Sequence, residues 1–99
     1  MTMIPRHRRP TTPGEILHHE FLGPLHMTRK RLADHLGCDV KVVNRIVHGR
    51  SAVTAEMALK LGATFGTSPE FWLNAHKACD LYDAQRAAGR LPEPLLHAR

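Results

Sequence analysis

Ninety-nine residues, 42% of them hydrophobic and 23% charged, make one small domain with a modest core. The formal net charge of +5 and pI near 9.9 favour an anionic partner over an acidic-surface role. Cys38 and Cys79 are isolated thiols without CxxC spacing, and no apolar run suits a membrane span or a signal peptide. The reading is therefore a cytoplasmic protein with no membrane association and no disulfide framework.

Residues 1–11 hold two prolines and Arg6, Arg8 and Arg9 without periodicity, so a mobile basic arm is expected. Such an arm can reach phosphates or a minor groove. Thr12-Pro13-Gly14-Glu15 is a capping box with proline at the first helical position, a clear helix start. Ile16, Leu17, Glu20 and Phe21 continue that helix, and Gly23-Pro24 stops it. His18 and His19 invite a metal reading. Adjacent histidines on a helix point about 100° apart, however, and HExxH spacing is absent, so no metal and no cofactor are expected.

Arg29 to His48 is the stretch around which the chain is organised. Thr28 is placed to cap a helix carrying Leu32, Ala33 and Leu36 at helical spacing, and Gly37 then interrupts the pattern. Val40, Val43, Ile46 and Val47 resume it. Two short helices joined at a glycine that tolerates positive φ form a helix-turn-helix, with Ala33 small enough for the crossing. Asp39 is placed as N-cap of the second helix. The outside of that helix presents Lys41, Asn44, Arg45 and His48, donors suited to phosphates and base edges. Val40 or Val42, if exposed, could meet a thymine methyl. Residues 28–50 carry six cations, Arg29, Lys30, Arg31, Lys41, Arg45 and Arg50, against Asp34 and Asp39, whereas residues 51–99 balance. The charge excess thus lies on the arm and the reading unit, where a nucleic-acid footprint belongs.

Gly49-Arg50-Ser51 ends the second helix, with Arg50 placed for the phosphate backbone. Thr54 caps a fourth helix with Met57, Ala58, Leu61 and Phe65 inward, closed by Gly66. Either Thr67 or Ser68 could cap a fifth, which carries Phe71, Trp72, Leu73, Ala75, Ala78, Cys79, Leu81 and Tyr82. Phe71 and Trp72 read as core. Ala78, Cys79, Leu81 and Tyr82 lie beyond a plausible core boundary and read as a dimer surface. Gly89 to Arg99, with Pro92 and Pro94, reads as a loosely ordered tail whose Leu91, Leu95 and Leu96 could fold back. The organisation is an arm at 1–11, a helical domain at 12–85 and a tail at 86–99.

Four segments, PGEILHHEFLGPL (Pro13–Leu25), RLADHLG (Arg31–Gly37), GRSAVTAEMALKLGATFGTSPEFWLN (Gly49–Asn74) and DLYDA (Asp80–Ala84), resemble HigA-type antitoxins. These are small regulators of the lambda-repressor-like (XRE) class. The resemblance spans roughly residues 12–85, and its most specific part is TSPEFWLN. It implies an all-α, five-helix helix-turn-helix DNA-binding domain. It also implies a homodimer on a palindromic operator of double-stranded DNA, and a HigB-type toxin partner similar to RelE-type mRNA interferases. Autorepression and toxin neutralisation by direct binding would follow. Carried onto this chain, the recognition helix is Asp39–His48, with Lys41, Asn44 and Arg45 reading DNA and Arg29 and Arg50 on phosphates. Arg29 stands where many such domains have glutamine, and Val40 and Val42 leave fewer polar readers. The alternative within this fold is an orphan regulator without a toxin. An enzyme is disfavoured, because the histidines and carboxylates form no paired acid–base set, nucleophile motif or glycine-rich phosphate loop.

Overall fold

In the computed structural model, which describes residues 8–96, the chain forms five helices, with no strand among the described residues. Most of the basic arm, including Arg6, lies outside the described residues. Helix α1 begins at Pro13–Ile16 and continues, widened, over Leu17–Leu22. Its capping box is fully made: Glu15 N–H donates to Thr12 Oγ1 at 3.0 Å and Thr12 N–H donates to Glu15 Oε1 at 2.9 Å. The Thr12 backbone N–H, with the Thr12 hydroxyl beside it, favours the carboxylate and holds Glu15 below the usual carboxyl pKa.

The widening of α1 departs from the plain α-helix expected. Over Leu17–Leu22 the helix is π-type, and Gly23 N–H donates to the His18 carbonyl five residues back at 3.0 Å. The core supplies the reason. In an α-helix Leu22 would lie about 140° around the axis from Leu17. Widening returns the fifth residue over the first, and both leucines are buried. His18 and His19 stay exposed, their rings meeting edge to face at 4.8 Å.

Helices α2 (Arg29–Leu36) and α3 (Val40–Val47) form the expected pair. Thr28 caps α2 through Arg31 N–H and Asp39 caps α3 through Lys41 N–H. Gly37 takes φ 74°, and the N–H groups of Gly37 and Cys38 close the α2 carbonyls of Asp34 and Ala33. Helix α4 (Ala55–Phe65) runs into α5 (Pro69–Ala88) through Gly66. Of the two hydroxyls available there, Ser68 caps α5, while Thr67 Oγ1 accepts the Trp72 indole N–H at 2.8 Å.

Leu17, Leu32, Val43, Leu61 and Trp72 form the fully buried centre, so all five helices contribute to one core. Phe21 and Phe65 pack beside Trp72, with ring centroids 4.6–6.3 Å apart, and Phe71 meets its edge at 5.2 Å. Trp72 is core as expected, and Phe71 is partly exposed at the rim.

Two expectations for α5 need correction. Cys79 and Tyr82 are not on an open surface but buried within the monomer. Arg9 donates two hydrogen bonds to Asp83, at 2.9 and 2.8 Å, and the Cys79 thiol donates to the Pro10 carbonyl at 3.3 Å. The end of the arm is therefore laid on α5. Nor do Leu91, Leu95 and Leu96 fold back into the core: all three are exposed. The boundary expected after residue 85 falls inside α5, which continues to Ala88.

Candidate nucleic-acid interface

Helix α3 has two faces of opposite chemistry. Val43 and Ile46 are buried, and Val40, Val42 and Val47 pack on the core margin. Lys41, Asn44, Arg45 and His48 recur at intervals of i, i+3, i+4 and i+7 and form one outward stripe. Lys41, Arg45 and His48 are exposed and Asn44 is half-buried.

Arg29, at the first position of α2, reaches across to this stripe. Its Nη1 donates to Asn44 Oδ1 at 3.2 Å and lies 3.3 Å from His48 Nε2. The structure thus brings together Arg29, Asn44 and His48 from positions far apart in the chain. The contact holds Asn44 by its carbonyl oxygen, leaving its amide donors outward. A cation at this point beside Lys41 and Arg45 makes the α3 face a concentrated source of positive charge and N–H donors.

Other expected site residues are placed differently. The Asp39 carboxylate accepts from Lys41 N–H at 2.8 Å through one oxygen and so caps α3, while the residue stays exposed. Val42 is half-buried against the core, which restricts its reach toward a thymine methyl. Arg50 is exposed in the loop after α3, where its N–H donates to the Arg45 carbonyl at 2.8 Å. It is not on the α3 stripe. It borders a cleft of about 180 Å³ between α1, this loop and α5, together with Gly14, His76 and Asp80.

The position of α3 is set by an unusually close approach. Gly14, in the first turn of α1, is buried with its Cα over the last turn of α3. A Cβ there would sit 2.1 Å from the Ile46 carbonyl oxygen and 2.6 Å from that of Val47. Only glycine permits this contact. The sequence reading placed Gly14 in a capping box and missed this role, because nothing local announces which backbone a glycine will meet.

The arm anchor was also missed. Arg9 and Asp83 are 74 positions apart, with no shared periodicity to link them. Their bond holds Asp83 below the usual carboxyl pKa and pushes the Arg9 guanidinium up, while burial pushes the Cys79 thiol up. The anchored arm passes Val47, His48 and Gly49, with which Arg9 and Pro10 enclose a shallow hollow.

No described helix is long and apolar enough to cross a membrane. Residues 20–72 match the model of a helix-turn-helix family. Antitoxin HigA-1 of Vibrio cholerae serotype O1 is 44% identical over 78 residues, which cover 79% of this chain and 73% of that protein. An uncharacterized HTH-type transcriptional regulator of Haemophilus influenzae is 45% identical over the same length and coverage. Among solved structures, antitoxin GraA in complex with its operator superposes with a TM-score of 0.81. It is 35% identical, and the match covers 95% of this chain and all of that one.

Proposed function

The chain belongs to the helix-turn-helix family of HigA-type antitoxins, and from that membership we propose that it is an antitoxin acting as a sequence-specific DNA-binding homodimer. It represses its own operon and neutralises a HigB-type mRNA-interferase toxin by direct binding. The observation that carries the DNA reading is the α3 stripe, with Asn44 and His48 tied to Arg29. Asn44, its carbonyl oxygen held by Arg29, has its amide N–H groups for a base-edge acceptor, and Lys41 and Arg45 suit a base or the flanking phosphates. Arg29 and Arg50 flank the stripe as phosphate contacts. A relative of the same fold, antitoxin GraA, is in complex with its operator, which supports DNA binding by this chain.

Two copies related by a two-fold axis would place their α3 helices in successive major grooves about 34 Å apart. The middle of α5 lies beside the loop that ends α3, since Gly49, Arg50, His76 and Asp80 border one cleft. Pairing through α5 would therefore hold the two α3 helices near the axis. A role on the chromosome places the protein in the cytoplasm. Binding rather than catalysis is its work: the polar side chains of the site are arranged as donors on a convex helix face, not around a reacting atom.

The test compares Asn44→Ala with Arg50→Ala on operator and random duplexes over a range of salt. Loss of Asn44 should cost about 1–3 kcal/mol on the operator and little on random DNA. Arg50→Ala should weaken both alike and lower the slope of log K against log salt by about one. Equal effects of the two substitutions on both duplexes would remove this assignment of roles. The second reading, a regulator without a toxin, is favoured by the likeness to the Haemophilus regulator. Recovery of a stoichiometric toxic protein with the tagged chain from native cells decides for the antitoxin. Recovery of the chain alone, still bound to its own promoter, decides for the stand-alone regulator.

A further inference from the structure

The far end of α5 carries apolar surface that the monomer does not cover. Every residue from Asp83 to Leu96 is exposed. The radius of gyration is 16.2 Å and the longest extent 52 Å, against about 13 Å for a compact chain of this length. Leu81, Ala84, Gln85, Ala88 and Leu91 enclose an almost wholly apolar groove of about 310 Å³. Beyond it, Leu95 and Leu96 are 97% and 87% exposed, adjacent leucines with no cover of their own.

The chain's own tail is badly placed to fill its own groove. Leu91 already forms part of the wall. Pro92 and Pro94 lie between it and Leu95, each fixing φ and disfavouring a reversal of the chain. An extended segment of that length carries Leu95 about 12 Å from Leu91. An apolar pair and an apolar groove thus sit at one end of the same chain, separated by a stiff spacer. A two-fold operation gives each of two copies what the other lacks.

We propose that the C-terminal tails are exchanged in the homodimer, with Leu95 and Leu96 of one copy seated in the groove formed by Leu81, Ala84, Ala88 and Leu91 of the second. The exchange rests on the homodimer reading above and specifies its occupant. Because each tail serves the other copy's groove, the contact is closed and does not propagate into a filament.

The full-length chain is tested by sedimentation equilibrium as the parent, as Leu95→Ser/Leu96→Ser and as Ala84→Glu. All three positions are exposed, and unchanged helical circular dichroism verifies folding. Each variant should raise the dimer Kd about tenfold or more, through lost apolar burial. A second measurement locates the tail directly. In a Cys38→Ser background, chains with Leu95→Cys are mixed with chains bearing Ala84→Cys and oxidised. A disulfide between the two kinds of chain is expected. If one chain carrying both cysteines closes on itself instead, the tail docks in cis and the exchange is overturned. A dimeric parent whose tail variant dimerises as tightly also overturns it, leaving the homodimer intact. A parent that stays monomeric at tens of micromolar removes the homodimer and the exchange together.

Discussion

Replacing Gly14 by alanine tests the claim that α1 seats the recognition helix by backbone contact. In a helix, alanine ordinarily gains about 0.8–1.0 kcal/mol over glycine, so the naive expectation is stabilisation. The structure reverses the sign. The new methyl carbon would lie 2.1 Å from the Ile46 carbonyl oxygen, 2.6 Å from that of Val47 and 2.8 Å from the Val47 carbonyl carbon. Relieving the first contact to about 3.0 Å requires α1 and α3 to separate by about 0.9 Å. The obstructing atoms are backbone, so no side chain can rotate away, and the cost falls at the upper end of the 1–3 kcal/mol typical of overpacking, about 3 kcal/mol. Less the propensity gain, the net loss is about 2 kcal/mol, or roughly 8–16 °C in Tm for a domain of this size. Gly23→Ala is the control. Its methyl would meet the His18 and His19 carbonyl oxygens at 3.4 and 3.8 Å, both ordinary contacts, and its backbone is already right-handed helical. A change between neutral and a gain of about 1 kcal/mol is expected there. Urea melts of both variants provide the free energies, and operator titrations at matched folded concentration show whether α3 has moved. A Gly14→Ala protein as stable as the parent would refute the close-approach argument.

Two further substitutions separate roles that proximity alone would merge. Asp39→Asn keeps the N-cap, so stability should stay within about 0.5 kcal/mol, while Asp39→Ala should lose about 1 kcal/mol. Removing the negative charge in Asp39→Asn should also tighten DNA binding at low salt, and weaker binding would mean that Asp39 contacts DNA directly. The anchor of the arm is probed by thiol labelling. At neutral pH Cys79 should react more slowly than the half-buried Cys38, and Asp83→Asn should accelerate Cys79 alone. Because Asp83 titrates below its ordinary value when bonded to Arg9, the anchor's contribution is present above the ordinary carboxyl pKa. It is lost only as pH falls through the depressed value, so acid release of the arm belongs below about pH 4. Equal Cys79 labelling rates in the parent and Asp83→Asn would mean that the arm does not depend on this pair.

Periodicity and caps made the helices legible from the chain alone. Thr12, Thr28, Asp39 and Thr54 each cap the helix expected of them, because a cap is a contract between residues two or three positions apart. The α3 stripe was legible for the same reason, since Lys41, Asn44, Arg45 and His48 share a face by helical geometry. The asymmetric charge already directed attention to that unit.

What the tertiary structure decided lies between segments remote in sequence. The π-type turn of α1 exists because Leu17 and Leu22 must both enter a core that other helices define. Cys79 is buried and Arg9 anchored because segments some 70 residues apart meet on α5. Arg29 meets Asn44 only because α2 and α3 cross there. Sequence determines the interactions whose partners are neighbours along the chain. Contacts between distant segments depend on how whole helices pack, and no local pattern encodes that geometry.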